Sequence, residues 1–330
     1  MVIVGAGPIG LETAAVLAHE GLVVQVVDSG PLGATIARTF PPHTRFFTSP
    51  ERLSLFGLAI APVHQEKLTG EEYLAYLRQY VATHDLRVDT FTEILSGARQ
   101  PVKVVGRTLS GQRRVYSADT LVLATGGTDR PRRLGVPGED LPHVRSHLGD
   151  PHRYAGRTVV IVGGRNSAVE SALRCYRVGA HVHLVHRRSH IHERVKFWLR
   201  PEVQSLLDEG VITGHLPGEV AEITPEAVVL SDGRRLEADD VVLQIGYEQD
   251  GALFDMFGVP RDGVRKAPVI DPDTMRAAED LYVVGTATAG TQDRFEVFIE
   301  NSHDHAGRVA AALAGRAAPS PRPARPIPEV

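Results

Sequence analysis

The sequence predicts an α/β fold built from two related units, each around a parallel sheet, and three observations carry that expectation. Short apolar strands alternate with helical segments along most of the 330 residues. A strand, glycine-loop and helix pattern begins at Val2 and again at Val159, about 160 residues later. In both copies the next strand closes 23 residues after the first loop glycine, at Asp28 in one and at His186 in the other.

The elements follow in order. Val2 to Val4 reads as a buried strand, Ile9 to His19 as a helix, and Val23 to Val27 as the second strand. A polar, proline-containing loop is expected from Ser29 to about Glu51. Thr69 to His84 has helical spacing, with Thr69 placed as a cap ahead of Glu71 and Glu72. Val102 to Gly106 and Arg113 to Ser117 flank a hairpin turn at Ser110-Gly111, and Thr120 to Ala124 is a further buried strand. The second copy runs through Val159 to Val162, a glycine loop, a helix, and Val182 to Val185. Ala227 to Leu230 and Leu236 flank Asp232-Gly233, a second hairpin signal. Val241 to Ile245 and Leu281 to Val284 are strands, and a last helix is expected over Val297 to Leu313. Residues 316–330, rich in Pro, Ala and Arg, are expected to be a disordered tail.

Composition narrows the partners. The chain is 42% hydrophobic with a formal net charge of −4, so it can bury a substantial core and has no basic excess for nucleic acid. No apolar run nears the roughly 20 residues a membrane span needs. The apolar start runs straight into a glycine loop and reads as a strand, not a signal. A single cysteine, Cys175, fits a cytoplasmic setting, since a lone thiol forms no internal disulfide.

The first loop, Gly5-Ala6-Gly7-Pro8-Ile9-Gly10, is a GxGxxG between strand and helix. Gly5 permits the tight turn, Gly7 lets the backbone approach a pyrophosphate, and Gly10 allows close packing of helix on sheet. The helix N-terminus adds free N–H groups and a positive partial charge. Asp28, with Ser29 beside it, closes the next strand. A carboxylate there accepts bonds from ribose hydroxyls and repels a 2′-phosphate, so this site suits FAD or NAD.

The second loop, Gly163-Gly164-Arg165-Asn166-Ser167-Ala168, puts Arg165 at the second glycine position and Ala168 at the third. The tip residues are His186-Arg187-Arg188, where guanidinium groups pair with phosphate and the repelling acid is gone. This site suits NADPH over NADH. His190, Arg194 and Lys196 extend the basic rim around its phosphates. Two dinucleotide sites imply hydride transfer between them, which leaves FAD for the first site.

Several stretches resemble the thioredoxin-reductase-like flavoproteins: Ala124-Thr125-Gly126-Gly127, Val136-Pro137-Gly138-Glu139-Asp140 and the second loop itself. Phe46 to Leu53, Val195 to Pro201 and Val297-Phe298-Ile299-Glu300-Asn301 are similar to the YpdA branch, the NADPH-dependent bacillithiol disulfide reductases. The resemblance implies two Rossmann-like dinucleotide-binding domains, the NADPH domain inserted in the FAD domain. Its boundaries would be residues 1–125 and 246–315 for FAD and 126–245 for NADPH. Thr125-Gly126 and Ile245-Gly246 would be the crossings, and rotation of the inserted domain would gate transfer. The resemblance also places Glu93 and Ile94 at the adenine. It places Phe47, Thr48, Ala124, Gly285 and the Val297-Phe298-Ile299 segment with the FAD, the last of these at the start of the final helix.

The chain departs from that pattern at the thiols. It has no CxxC, and Ile9 stands where the YpdA branch carries a cysteine. Electrons must then pass from the flavin to an external acceptor: a low-molecular-weight disulfide such as bacillithiol disulfide, or a redox carrier protein. A ferredoxin or flavodoxin–NADP reductase and a non-enzymatic flavin-binding protein are the alternatives. His303 and His305 are candidate proton donors, against the plainer reading of an exposed helical face. The histidines from His181 to His192 lack the acids or thiols of a metal site, so no metal is expected. A homo-oligomer, dimer or tetramer, is expected.

Overall fold

The computed structural model describes residues 1–62 and 66–319, so part of the expected tail lies outside the described residues. The chain forms two compact units. Among the described residues, one comprises Met1–Arg38, His43–Arg130 and residues 247–319; the other comprises Thr39–Pro42 and Pro131–Gly246.

In the first unit a six-stranded sheet runs in the order Arg276–Ala278, Leu281–Val283, Leu121–Leu123, Val2–Val4, Gln25–Val27, Val88–Asp89. All neighbours are parallel except the first pair. The central strands are buried along their whole length, which is why they read as unbroken Val, Ile and Leu apart from Tyr282. An antiparallel meander of Thr92–Ala98, Val102–Thr108 and Arg113–Ala118 shares its core, with Phe254 and Phe257 among the residues packed there. Gly97 is a consequence: a Cβ there would lie 2.2 Å from the Phe257 ring, which is 2% exposed. Gly97→Ala is therefore expected to cost about 1–3 kcal/mol in urea unfolding through overpacking.

The helix Gly70–Thr83 starts as the sequence suggests, with Thr69 and Glu72 forming a reciprocal capping box. Its inward face carries Tyr73, Tyr76 and Tyr80. Their hydroxyls bond backbone groups of residues 53 to 58.

Two expectations need correction. The stretch from Ser29 to Glu51 is not all loop, because it holds the helix Ala34–Thr39 and the start of the helix Pro50–Leu53. The final helix is Asp304–Leu313 and does not begin at Val297. Side chains claim the backbone ahead of it: Gln292 Oε1 accepts from the N–H groups of Glu296 and Val297, and Asn301 Oδ1 from that of Phe298. These local bonds displace the helical pattern and leave only a short turn at Ile299–Asn301.

The second unit has a five-stranded parallel sheet in the order Thr213–His215, His181–Val185, Thr158–Val162, Asp240–Leu243, Val144–Arg145. The helices Asn166–Arg177 and Arg200–Asp208 cover one face. A meander of Val220–Ile223, Ala227–Leu230 and Arg235–Glu237 contributes to the other. The two sheets repeat one register: Val2 faces Gln25 and Thr158 faces His181, both offset by 23 residues. No helix of the described residues is long and apolar enough to cross a membrane, and no group of three or more His, Cys, Asp or Glu among them could hold a metal ion.

Candidate dinucleotide-binding sites

In the first unit Gly5 has φ +117°, and a Cβ on it would lie 2.3 Å from the carbonyl oxygen of Ala124. Gly7 differs: a Cβ there would meet nothing within 4 Å among the described residues. The loop is thus pinned at its first glycine and open at its second, which is the side a pyrophosphate needs. The helix Pro8–His19 has no side-chain cap, so its first-turn N–H groups are available to an anion.

Asp28 is tied to this loop. Its Oδ2 accepts from Ala6 N–H at 2.6 Å and its Oδ1 from Gly30 N–H at 2.7 Å. Burial pushes its carboxyl up from the usual range, while those two bonds and the charge of Arg38 pull it down. Ser29 beside it is exposed. Thr92 N–H donates to Asp28 O at 2.8 Å and Phe91 N–H to Gly30 O at 3.1 Å, so Glu93 and Ile94 lie next to the Asp28 tip. Thr125 Oγ1 is buried with no partner among the described residues, on the strand end that packs against Gly5. An orphaned hydroxyl there fits a bound polar group.

Gly285, with φ +71°, packs against Ile9: a Cβ on it would lie 3.1 Å from the Ile9 Cβ. Gln249, which the sequence reading missed, gathers this corner. Its Nε2 donates to Gly126 O at 2.9 Å and to Ala287 O at 2.8 Å. No sequence pattern marks it, because both partners are distant backbone atoms. Val297, Phe298 and Ile299 are half-buried, Thr48 is buried, and Phe47 sits under the Lys67 ammonium.

The two histidines are not proton donors facing solvent. His303 is 8% exposed, with Nδ1 2.7 Å from Glu12 Oε2 and Nε2 2.7 Å from Arg52 O. Both ring nitrogens are engaged. His305 Nδ1 accepts the Gly285 N–H at 3.0 Å, and burial with the nearby Arg308 lowers its pKa to about 4. It is a neutral ring at pH 7 that holds the Gly285 turn. The exposed-face reading fails equally, because the helix packs this end inward.

His305 also sets a pH dependence. Its folded pKa lies below the unfolded value near 6.5, so the unfolded state binds the proton more tightly. Its contribution is fully present above about pH 6.5 and falls as pH drops toward 4. Lowering the pH from 7 to 5 is expected to cost about 2 kcal/mol through this group, and His305→Gln should flatten that part of a urea-midpoint series.

In the second unit Gly163 has φ +146°, and a Cβ on Gly164 would lie 2.5 Å from the His186 ring. The tip residue therefore sits against the loop, as Asp28 does against Ala6. His186 Nε2 is buried with no partner among the described residues. Its pKa is lowered to about 4 by burial first, then by Arg187, Arg188, His192 and His190. His192 is lowered by burial and by Arg165 and Arg188. Neutral imidazoles held in that field mark a site of concentrated positive potential, which an anion would relieve. Arg165, Arg187, Arg188 and Ser167 are exposed, and Ala168 is buried beneath the loop. Ile245 and Gly246 follow the closing strand, and Gly246 O accepts from Arg132 N–H at 3.0 Å.

Lys196 is not on the basic rim. It is 8% exposed, and its Nζ lies 3.3 Å from Glu170 Oε2. Asn166 is likewise occupied, its Oδ1 accepting Lys196 N–H at 2.7 Å. Cys175 is fully buried, and burial pushes its thiol up to about 12, so it is not a thiolate nucleophile.

Residues 2–285 match the family described as pyridine nucleotide-disulphide oxidoreductase. The chain is 31% identical over 322 residues to bacilliredoxin reductase Bdr of Bacillus subtilis (strain 168), covering 96% of this chain and 97% of that protein. It is 28% identical over 296 residues to a ferredoxin–NADP reductase of Ignicoccus hospitalis, covering 87% and 89%. Among solved structures it is similar to bacillithiol disulfide reductase Bdr (YpdA) from Bacillus cereus, with TM-score 0.89 at 31% identity over 95% of this chain and 98% of that one. The resemblance and the Rossmann-like α/β class expected from the sequence are borne out. The chain belongs to the pyridine nucleotide-disulphide oxidoreductase family and is a flavin-type oxidoreductase that uses a nicotinamide dinucleotide.

Proposed function

We propose that the first unit holds FAD, that the second holds NADPH, and that the enzyme passes electrons to a low-molecular-weight disulfide such as bacillithiol disulfide. The contrast of tips on two copies of one fold carries the cofactor assignment. Asp28 offers a carboxylate beside its loop, whereas His186-Arg187-Arg188 offers a neutral ring and two exposed guanidiniums. FAD would supply the step between a two-electron hydride donor and the acceptor. The chain's own residues bind and orient: Gly7 and the uncapped helix face the pyrophosphate, Asp28 the ribose, and Gly285 and the Val297-Phe298-Ile299 segment the ring. In this reading the chain leaves the FAD part after Arg130 and returns to it at Tyr247, close to the expected crossings at Thr125-Gly126 and Ile245-Gly246.

The disulfide assignment is supported by the names of the Bacillus relatives. One NADPH and one proton convert one disulfide to two thiols. The lone buried Cys175 allows no dithiol relay within the chain, so the acceptor takes its electrons from the flavin. The Ignicoccus relative favours a second reading, a ferredoxin- or flavodoxin-type protein acceptor. We place the enzyme in the cytoplasm, as a homodimer or homotetramer.

Anaerobic rapid mixing tests the acceptor. The NADPH-reduced enzyme should reoxidise quickly with bacillithiol disulfide and slowly with ferredoxin. Fast reoxidation by ferredoxin alone would transfer the assignment to the second reading.

A further inference from the structure

The basic segment after His186 has an outside and an inside. Arg187, Arg188, His190 and Arg194 are exposed along it. Two bonds pin the segment to the glycine loop and the helix that follows. His192 N–H donates to Gly164 O at 3.0 Å, and Lys196 N–H donates to Asn166 Oδ1 at 2.7 Å. Beneath them lies a compact charge cluster. Glu170, one turn into the helix Asn166–Arg177, meets Lys196 Nζ at 3.3 Å and Arg174 Nη2 at 3.2 Å. The Lys196 ammonium also lies 5.6 Å from the centroid of the Trp198 ring. The side chains of Lys196 and Glu170 are only 10% and 14% exposed.

We propose that Lys196 and Glu170 are positioning residues for 2′-phosphate selectivity, acting through the segment that carries Arg187, Arg188 and Arg194. The inference rests on the reading of the second unit as the NADPH site and adds how that selectivity is built. An ammonium committed to a largely buried carboxylate and an aromatic face is not presented to a ligand. Its backbone N–H and its side chain instead fasten the end of the segment onto the helix that the glycine loop opens. Guanidinium recognition of phosphate depends on direction, so a segment that shifts loses selectivity even with every arginine present.

Calorimetric titration of the FAD-loaded enzyme with NADP⁺ and with NAD⁺ tests this without turnover. Lys196→Met keeps the apolar stem but removes the charge. It should weaken NADP⁺ by about tenfold, NAD⁺ much less, and so shrink the preference. Lys196→Arg should retain most of the preference. Glu170→Gln separates positioning from direct contact. If Lys196 itself gripped the phosphate, releasing it from Glu170 would leave NADP⁺ binding unchanged or tighter; positioning requires it to weaken. Either an unchanged preference in Lys196→Met or unchanged or tighter NADP⁺ binding in Glu170→Gln would overturn the proposal. A wild-type enzyme that binds both dinucleotides equally would overturn the NADPH reading itself, and this inference with it.

Discussion

Replacing Arg187 and Arg188 together by alanine is expected to weaken NADPH binding by about a hundredfold and NADH binding by less than about threefold. Both side chains are exposed at the end of the strand His181–Val185, and both depress the proton affinity of His186. Each hydrogen bond from a guanidinium to a phosphate contributes about 1.5–3 kcal/mol, and NADH lacks the group that accepts it. The helix N-terminus and the glycine loop serve both dinucleotides alike, so the loss should be selective. Rising salt should reduce the wild-type preference and leave the double variant nearly indifferent. Equal loss of NADPH and NADH in a direct binding titration would contradict the assignment of the tip.

Replacing Glu12 by alanine is expected to cost about 2–5 kcal/mol of stability, because it strips two buried groups of their hydrogen-bond partner. Glu12 is 1% exposed on the helix Pro8–His19. Its Oε1 accepts Phe56 N–H at 3.0 Å and its Oε2 meets His303 Nδ1 at 2.7 Å. Arg52 O can only accept, so His303 Nε2 carries a hydrogen, and one more proton must lie between Nδ1 and Glu12. Alanine leaves the imidazole and the Phe56 N–H unsatisfied together. Glu12→Gln should lose only about 1 kcal/mol, because the amide oxygen can take the Phe56 N–H while its NH₂ donates to Nδ1. Urea unfolding of the FAD-loaded enzyme compares the two. A glutamine variant as weak as the alanine variant would show that the pair needs its charge and not merely its hydrogen bonds.

These two results mark where the sequence was informative. The loops and their tips could be read because the chemistry is local: glycine, helix start and tip recur at a fixed spacing, and the structure repeats that spacing in strand register. The Thr69 capping box could be read for the same reason. Long-range pairing could not. Glu12 and His303 are 291 positions apart, so His303 looked like a polar residue on an open helix face. Lys196 looked like a rim cation because it follows a basic run, yet its partner Glu170 lies 26 positions away on another element. The start of the last helix was misplaced because Gln292 and Asn301 bond the backbone through side chains, which hydrophobic periodicity does not register.

The most direct test of two dinucleotides assigned by their tips is the flavin's own absorbance. In anaerobic rapid mixing of the FAD-loaded enzyme, NADPH should bleach the flavin band, and NADH at the same concentration should do so far more slowly. A flavin that NADPH cannot bleach, or that both bleach at one rate, would contradict the account.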